Sequence, residues 1–209
     1  MIIEDFKSPE GLWRKTRKLD RKIVHTTRAG SLWSGVIARA GGSKSYLEKF
    51  PVYEGVTNDF KCFQSFTDWC HAEFGYFLKD KHDRFWNLDK DILVEGNKSY
   101  SESTCCFIPT ELNSLFLKRE RGRGQYPIGV IWHKSSETFV AACSHNGKPE
   151  HIGCFSNPLD AHRAWQEAKI RTVRHRIAEF NFLPEKTLCG LNRKLDTLIF
   201  QFDSGIETT

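Results

Sequence analysis

The sequence predicts an α+β protein: N-terminal helical segments lead into a ββα unit, which is followed by a three-stranded antiparallel sheet packed on one long helix. Three observations predict it. Apolar residues recur three and four apart in 31–40 and again in 60–77. Three strand-like runs at 128–133, 138–144 and 150–155 are separated by short turns. Asn157 and Pro158 then form a cap and a first-turn proline for a helical pattern that reaches Phe180.

Length and composition bound the function classes. A chain of 209 residues can bury a real core, so a disulfide miniprotein is excluded. No run of 18 apolar residues occurs and the leader is charged from Glu4, which predicts a soluble, cytoplasmic protein without a membrane span or secretory signal. Seven cysteines, with no CxxC pair, argue against a disulfide framework or zinc knuckle. Cys105, Cys106, Cys143 and Cys154 read as small buried thiols. Sixteen Phe and six Trp against one Met predict a core of rigid aromatic anchors.

The net charge of +5 is unevenly placed: the first 28 residues alone carry an excess of four. Residues 1–29 therefore read as a basic arm, able to lie along a phosphate backbone or to stand as a solvated leader. In 31–40, Leu32, Val36 and Ile37 define a short helix stopped at Gly41 and Gly42. In 60–77, Phe60, Phe63, Phe66, Trp69, Cys70, Phe74 and Phe77 form one helix face, read as core, ending near Gly75. A strand over 86–93, a turn at Glu95, Gly96 and Asn97, a strand over 105–108 and a helix capped by Thr110 follow. The segment 118–125, KRERGRGQ, is a charged, glycine-broken linker. Beyond the long helix, 181–209 has enough Leu, Ile and Phe to pack back as helix or strand, with the closing DSGIETT frayed. The resulting division is 1–29, 30–117, 118–125, 126–180 and 181–209.

The run GVIWHKSSETFVAACSHNGKPEHIGCFSNPLDAHRAWQEAK closely resembles the Apetala, or ethylene-response-factor, DNA-binding domain. The matching features are Gly129 and Val130, Phe139 to Ala141, Gly147 and Lys148, Ile152 to Phe155, and Ala161, Ala164 and Ala168. Gly147 is expected to supply a positive φ in the hairpin, and Gly153 to let the third strand pass close to the helix. The resemblance implies that one sheet face enters the major groove of duplex DNA. Its groove-facing positions here are Ile128, Ile131, His133, Ala142, Ser144 and His151, with Trp132 and Lys134 nearby. The family favours Arg and Trp at most of these places, and this chain does not follow it, which weakens direct guanine readout. Arg119, Arg121 and Arg123 in the linker are placed to track phosphates.

The block WNLDKDILVEGNKSYSESTCCFIPTELNSLF resembles the HNH, or His-Me finger, endonucleases encoded by bacteriophages, in which a ββα core precedes such a sheet-and-helix module. The resemblance implies a cytoplasmic, phage-type DNA endonuclease that uses magnesium or manganese. Hydrolysis needs a general base, a divalent ion and an amide-bearing residue to hold one of them. Where the family carries its histidine this chain has Leu-Asp-Lys-Asp-Ile. Asp89 and Asp91, two apart on a strand, are candidate metal ligands, with Asn97 completing the set. The base is then Lys90, an uncoordinated carboxylate or His82. Lys90 between two aspartates is poorly suited to lose its proton and serves better as a phosphate clamp. Asn113 on the closing helix is a further metal-side or phosphate-side group. The same residues also read as a hairpin tied by local ion pairs, with Glu95 to Lys98 as ordinary loop chemistry.

Three expectations thus stand side by side. One is a metal-dependent endonuclease targeted by its C-terminal sheet. The second is a non-catalytic DNA-binding protein of the same ancestry. The third is a phage effector that binds a host protein through exposed aromatics.

Overall fold

Residues 14–16, 23–116, 125–145 and 148–208 are described by a computed structural model, and they form a mixed α+β protein. The chain divides into two compact units, Met1–Pro109 and Thr110–Thr209. The expected linker at 118–124 lies outside the described residues, as do most of the basic arm and the hairpin tip at Asn146 and Gly147.

In the N-terminal unit, strands β1 (Arg14–Thr16) and β2 (Ile23–Thr26) pair antiparallel. Helix α1 (Arg28–Ala40) starts three residues earlier than the apolar spacing predicts, because the Thr27 side chain caps it by accepting from the Gly30 N–H at 3.0 Å. Its inward face is Ala29, Trp33 and Val36, and Ile37 is exposed rather than buried. A short helix α2 (Lys44–Lys49), a 3-10 turn (Pro51–Tyr53) and strand β3 (Thr57–Asn58) lead to α3 (Phe63–Ala72). Trp33 packs at 5.3 Å on Phe66, which meets Phe60 edge-on at 5.0 Å. These rings, with Val36 and Cys70, form the unit's core, each contributing about 2 kcal/mol of burial.

Helix α3 ends at Ala72, just before the expected stop near Gly75. Gly75 sets the reason: it turns the chain at φ +93°, and a Cβ there would meet Trp86 at 2.6 Å and Phe107 at 3.0 Å. Phe74 and Phe77 consequently leave the helix face and are exposed, contrary to their reading as core.

Strand β4 (Asn87–Asp89) is followed by β5 (Ser99–Tyr100), which pairs parallel to β3, and by β6 (Cys106–Ile108), which pairs antiparallel to β4. The strand expected over 86–93 therefore stops at Asp89. The Asp89 carboxylate accepts the backbone N–H groups of Asp91 at 2.7 Å and Ile92 at 2.8 Å, folding the chain into a turn and taking those donors from the ladder.

The C-terminal unit begins with α4 (Thr110–Leu115), in which Thr110 is the first helical residue. Strands β7 (Val130–His133), β8 (Thr138–His145) and β9 (Lys148–Phe155) form an antiparallel sheet in the order β7-β8-β9. Helix α5 (Pro158–Glu179) packs on one face of it. Asn157 caps α5 by accepting the Leu159 N–H at 2.8 Å, so the start of this helix falls where the sequence placed it. The three antiparallel strands and the backing helix agree with expectation.

Helix α6 (Glu185–Asp203) packs along α5 through Thr187, Gly190, Leu191 and Leu195. The closing residues are bonded, not frayed. The Gln166 amide donates to the Ile206 carbonyl at 2.9 Å, and the Thr208 N–H donates to His162 Nε2 at 3.1 Å. Among the described residues, no helix is long and apolar enough to cross a membrane.

Cys70, Cys105, Cys106 and Cys143 are buried, whereas Cys62, Cys154 and Cys189 are exposed. Cys154 thus departs from its expected burial, because it lies on the sheet face away from α5. Burial pushes the Cys70 and Cys105 thiols up to about 12. A disulfide reagent at pH 8 is expected to titrate three thiols rapidly in the folded protein and all seven after denaturation. More than three fast thiols would contradict this core.

Candidate nucleic-acid interface

Alternation along β7 and β8 sorts the sheet into two faces. Val130 pairs with Ala141 and Trp132 with Phe139, and these residues point toward α5. Ile131 pairs with Val140 and His133 with Thr138 on the opposite face. Ala142 and Ser144 follow Val140 on that same side. Of the six expected groove-facing residues, Ile131, His133, Ala142, Ser144 and His151 share this open face.

His151 reaches it through an irregularity. The register shifts between Ala141 and Ala142: Ala141 pairs with Gly153 and Ala142 with His151, leaving Ile152 as an extra residue. Simple alternation would turn His151 toward the helix, and the bulge restores it to the open side. There its Nε2 lies 3.5 Å from Cys154 Sγ. Val140 and Cys154 belong to this face too; the alternation at 138, 140, 142 and 144 was the signal that locates Val140.

The remaining expected contacts distribute differently. Trp132 is on the helix side, where its ring packs 4.8 Å from Phe139, although it stays partly exposed at the sheet end. Lys134 is exposed in the β7–β8 turn. His133 Nδ1 lies 2.8 Å from Ser136 Oγ. Ile128 precedes the strand, and its carbonyl accepts from His162 Nδ1 at 2.8 Å. Arg119, Arg121 and Arg123 lie outside the described residues.

Gly153 has a different role from the one expected: the atoms nearest to its absent Cβ belong to Phe155, at 3.2 Å, and not to α5. The close approach to the helix occurs at Gly129. Its φ is +81°, and a Cβ there would fall 2.0 Å from the Trp165 ring. Trp165 stacks on His162 at 5.4 Å, and His162 is only 2% exposed. With Nδ1 donating to Ile128 and Nε2 accepting from Thr208, this imidazole joins the sheet entry, α5 and the C-terminal segment.

The candidate hydrolytic residues of the N-terminal unit form a clasp. Lys90 is 8% exposed, and its ammonium donates to Asp91 Oδ1 at 2.5 Å and to the Asn97 carbonyl at 2.9 Å. The Asn97 amide donates to the Lys90 and Ser99 carbonyls, both at 2.7 Å, while its Oδ1 accepts the Ser99 N–H at 3.0 Å. This amide therefore spends both protons and an oxygen lone pair on the loop that connects β4 to β5.

His82 is elsewhere in the unit, exposed in the turn 80–84. Asp80 holds that turn by accepting the N–H groups of His82 and Arg84, and its bond from the Arg84 side chain keeps its carboxyl low, at about 2. Asn113 is half-exposed on α4, which belongs to the C-terminal unit.

A magnesium ion finds a poor donor set here. Asp89 Oδ1 caps a turn, Asp91 faces an ammonium and Asn97 is consumed by backbone groups. Among the described residues no three His, Cys, Asp or Glu side chains converge on a point that would hold a metal. Compared with known proteins, the chain matches no family model, no curated protein and no solved structure.

Proposed function

We propose that this chain is a DNA-binding protein that meets the duplex with the sheet face opposite α5, and that the clasp around Lys90 and Asn97 is structural. The observation that supports this reading is the gathering of Ile131, His133, Ala142, Ser144 and His151 on one face, with His151 brought there by a bulge. Arg119, Arg121 and Arg123 would supply phosphate contacts, with Lys134 beside the sheet. A face with two histidines, a serine and small apolar residues carries none of the bidentate Arg, Asn or Gln groups that read bases well. Affinity accordingly comes chiefly from phosphates and falls steeply with salt.

The alternative is a phage-type endonuclease using Asp89, Asp91 and Asn97 with magnesium or manganese and His82 as base. It needs the clasp to open, since the donors it requires are engaged with one another and with the backbone. A host-protein partner is the third possibility, favoured only by a failure to bind DNA.

Two carboxylates placed on the open face test the reading. The double substitution Ile131→Glu and Ser144→Glu introduces charge at exposed positions and is expected to weaken duplex binding by at least about tenfold, since each like-charge contact with a phosphate costs on the order of 1 kcal/mol. Thermal unfolding of the variant should match the parent. Unchanged duplex affinity would remove the sheet from the interface.

A further inference from the structure

We infer that a second surface, built on Phe77, Phe85 and Arg28 in the N-terminal unit, is a stacking platform for single-stranded nucleic acid. The inference rests on the DNA-binding reading above and extends it to a different unit and a different form of the ligand. Phe77 is 65% exposed and Phe85 44%. Exposed apolar surface gathered in one patch marks an interaction site.

Neither ring is loosely placed. Phe77 meets Tyr76 edge-on at 4.7 Å and lies 5.6 Å from His71. Phe85 is pinned by an isolated antiparallel bridge to Lys79. The Arg28 guanidinium lies 4.4 Å from the Tyr76 ring and 4.3 Å from Phe85, and Tyr76 in turn meets Phe77. Arg28 Nη2 donates to the Trp86 carbonyl at 2.6 Å, whereas Nη1 is buried with no hydrogen-bond partner. Phe77, Tyr76, Arg28 and Phe85 are thus joined by successive contacts.

The charge around the rings selects the occupant. Lys79 lies 4.9 Å from the Phe85 ring, and the adjoining turn adds Lys81 and Arg84. The two acids of this turn pair with two of these cations, Asp80 with Arg84 and the exposed Asp83 with Lys79, so the segment 79–84 keeps one net positive charge. Cations beside exposed rings fit a ligand that alternates flat π-faces with phosphates. A single strand offers both, whereas the bases of a duplex are stacked on one another and inaccessible to a phenyl ring. Stacking of this kind tolerates any base, so the platform is expected to bind without sequence preference.

The test compares the full chain with Phe77→Leu/Phe85→Leu, which keeps apolar side chains at both places and removes the π-faces. Binding of a labelled oligo-thymidine and of a labelled duplex is followed by fluorescence anisotropy, together with the thermal midpoint of each protein. The variant is expected to lose oligo-thymidine affinity by at least about tenfold, with duplex affinity and midpoint unchanged. Phe77→Trp should retain or strengthen single-strand binding. The inference is overturned if the parent binds duplex but not oligo-thymidine, if the leucine variant binds oligo-thymidine as well as the parent, or if both ligands are lost equally. Absence of duplex binding alone, with oligo-thymidine binding lost in the leucine variant, would overturn the sheet assignment and leave the platform standing.

Discussion

Gly129→Ala is expected to destabilise the C-terminal unit by about 3 kcal/mol or more, from backbone strain and overpacking that each cost about 1–3 kcal/mol. Both costs have a visible source. The residue sits at φ +81°, where an L side chain is strained, and the new methyl would lie 2.0 Å and 2.1 Å from two atoms of the Trp165 ring. Trp165 has little freedom to retreat, being 7% exposed and stacked on His162. His162 is itself tied to the Ile128 carbonyl and the Thr208 N–H. A methyl at 129 therefore pushes on the sheet entry, the long helix and the C-terminal segment together. For a unit of about 100 residues the thermal midpoint should fall by more than 10 °C. A loss under about 1 kcal/mol in denaturant unfolding would mean the sheet does not approach α5 as described.

Asn97→Ala is expected to cost about 3 kcal/mol in the absence of any metal. Its amide makes three bonds to the backbone of Lys90 and Ser99, and truncation leaves half-buried carbonyls and an N–H without their partners, at about 1–3 kcal/mol for a buried group. The loop that carries the Asn97 carbonyl to the Lys90 ammonium would loosen at the same time. Denaturant unfolding in chelator separates the two roles of this residue. A metal ligand with no structural duty would leave metal-free stability unchanged, whereas the clasp predicts the full loss.

The C-terminal sheet and α5 were legible because their determinants are local. Turn residues set the strand boundaries, two-residue alternation set the faces, and Asn157 with Pro158 set the helix start. The residues of the open face were named by the resemblance to the Apetala domain, and five of those six share one face of the sheet. What escaped were interactions between residues distant in sequence or formed by one side chain on its own backbone. Gly129 and Trp165 are 36 positions apart, and His162 and Thr208 are 46 apart; no local pattern joins them. The residues 86–93 have the composition of a strand, yet one carboxylate at Asp89 captures two N–H groups and ends it. Phe74 and Phe77 continue the apolar spacing of α3, and only the tight contact of Gly75 with Trp86 and Phe107 shows why the helix cannot follow it.

The candidate hydrolytic set illustrates a further limit. Asp89, Lys90, Asp91 and Asn97 are near one another, as their spacing implied, but proximity alone does not reveal which lone pairs remain for a ligand. Their hydrogen bonds are directed at the loop itself.

The function proposed for the chain is to hold DNA without cutting it. The most direct measurement incubates the protein with supercoiled plasmid in magnesium, in manganese and in chelator, reading retardation and strand breakage on one gel. Retardation is expected under all three conditions, weakening as salt rises, with the plasmid intact. Nicked or linear product that requires the metal and disappears in Asp89→Ala/Asp91→Ala would contradict it.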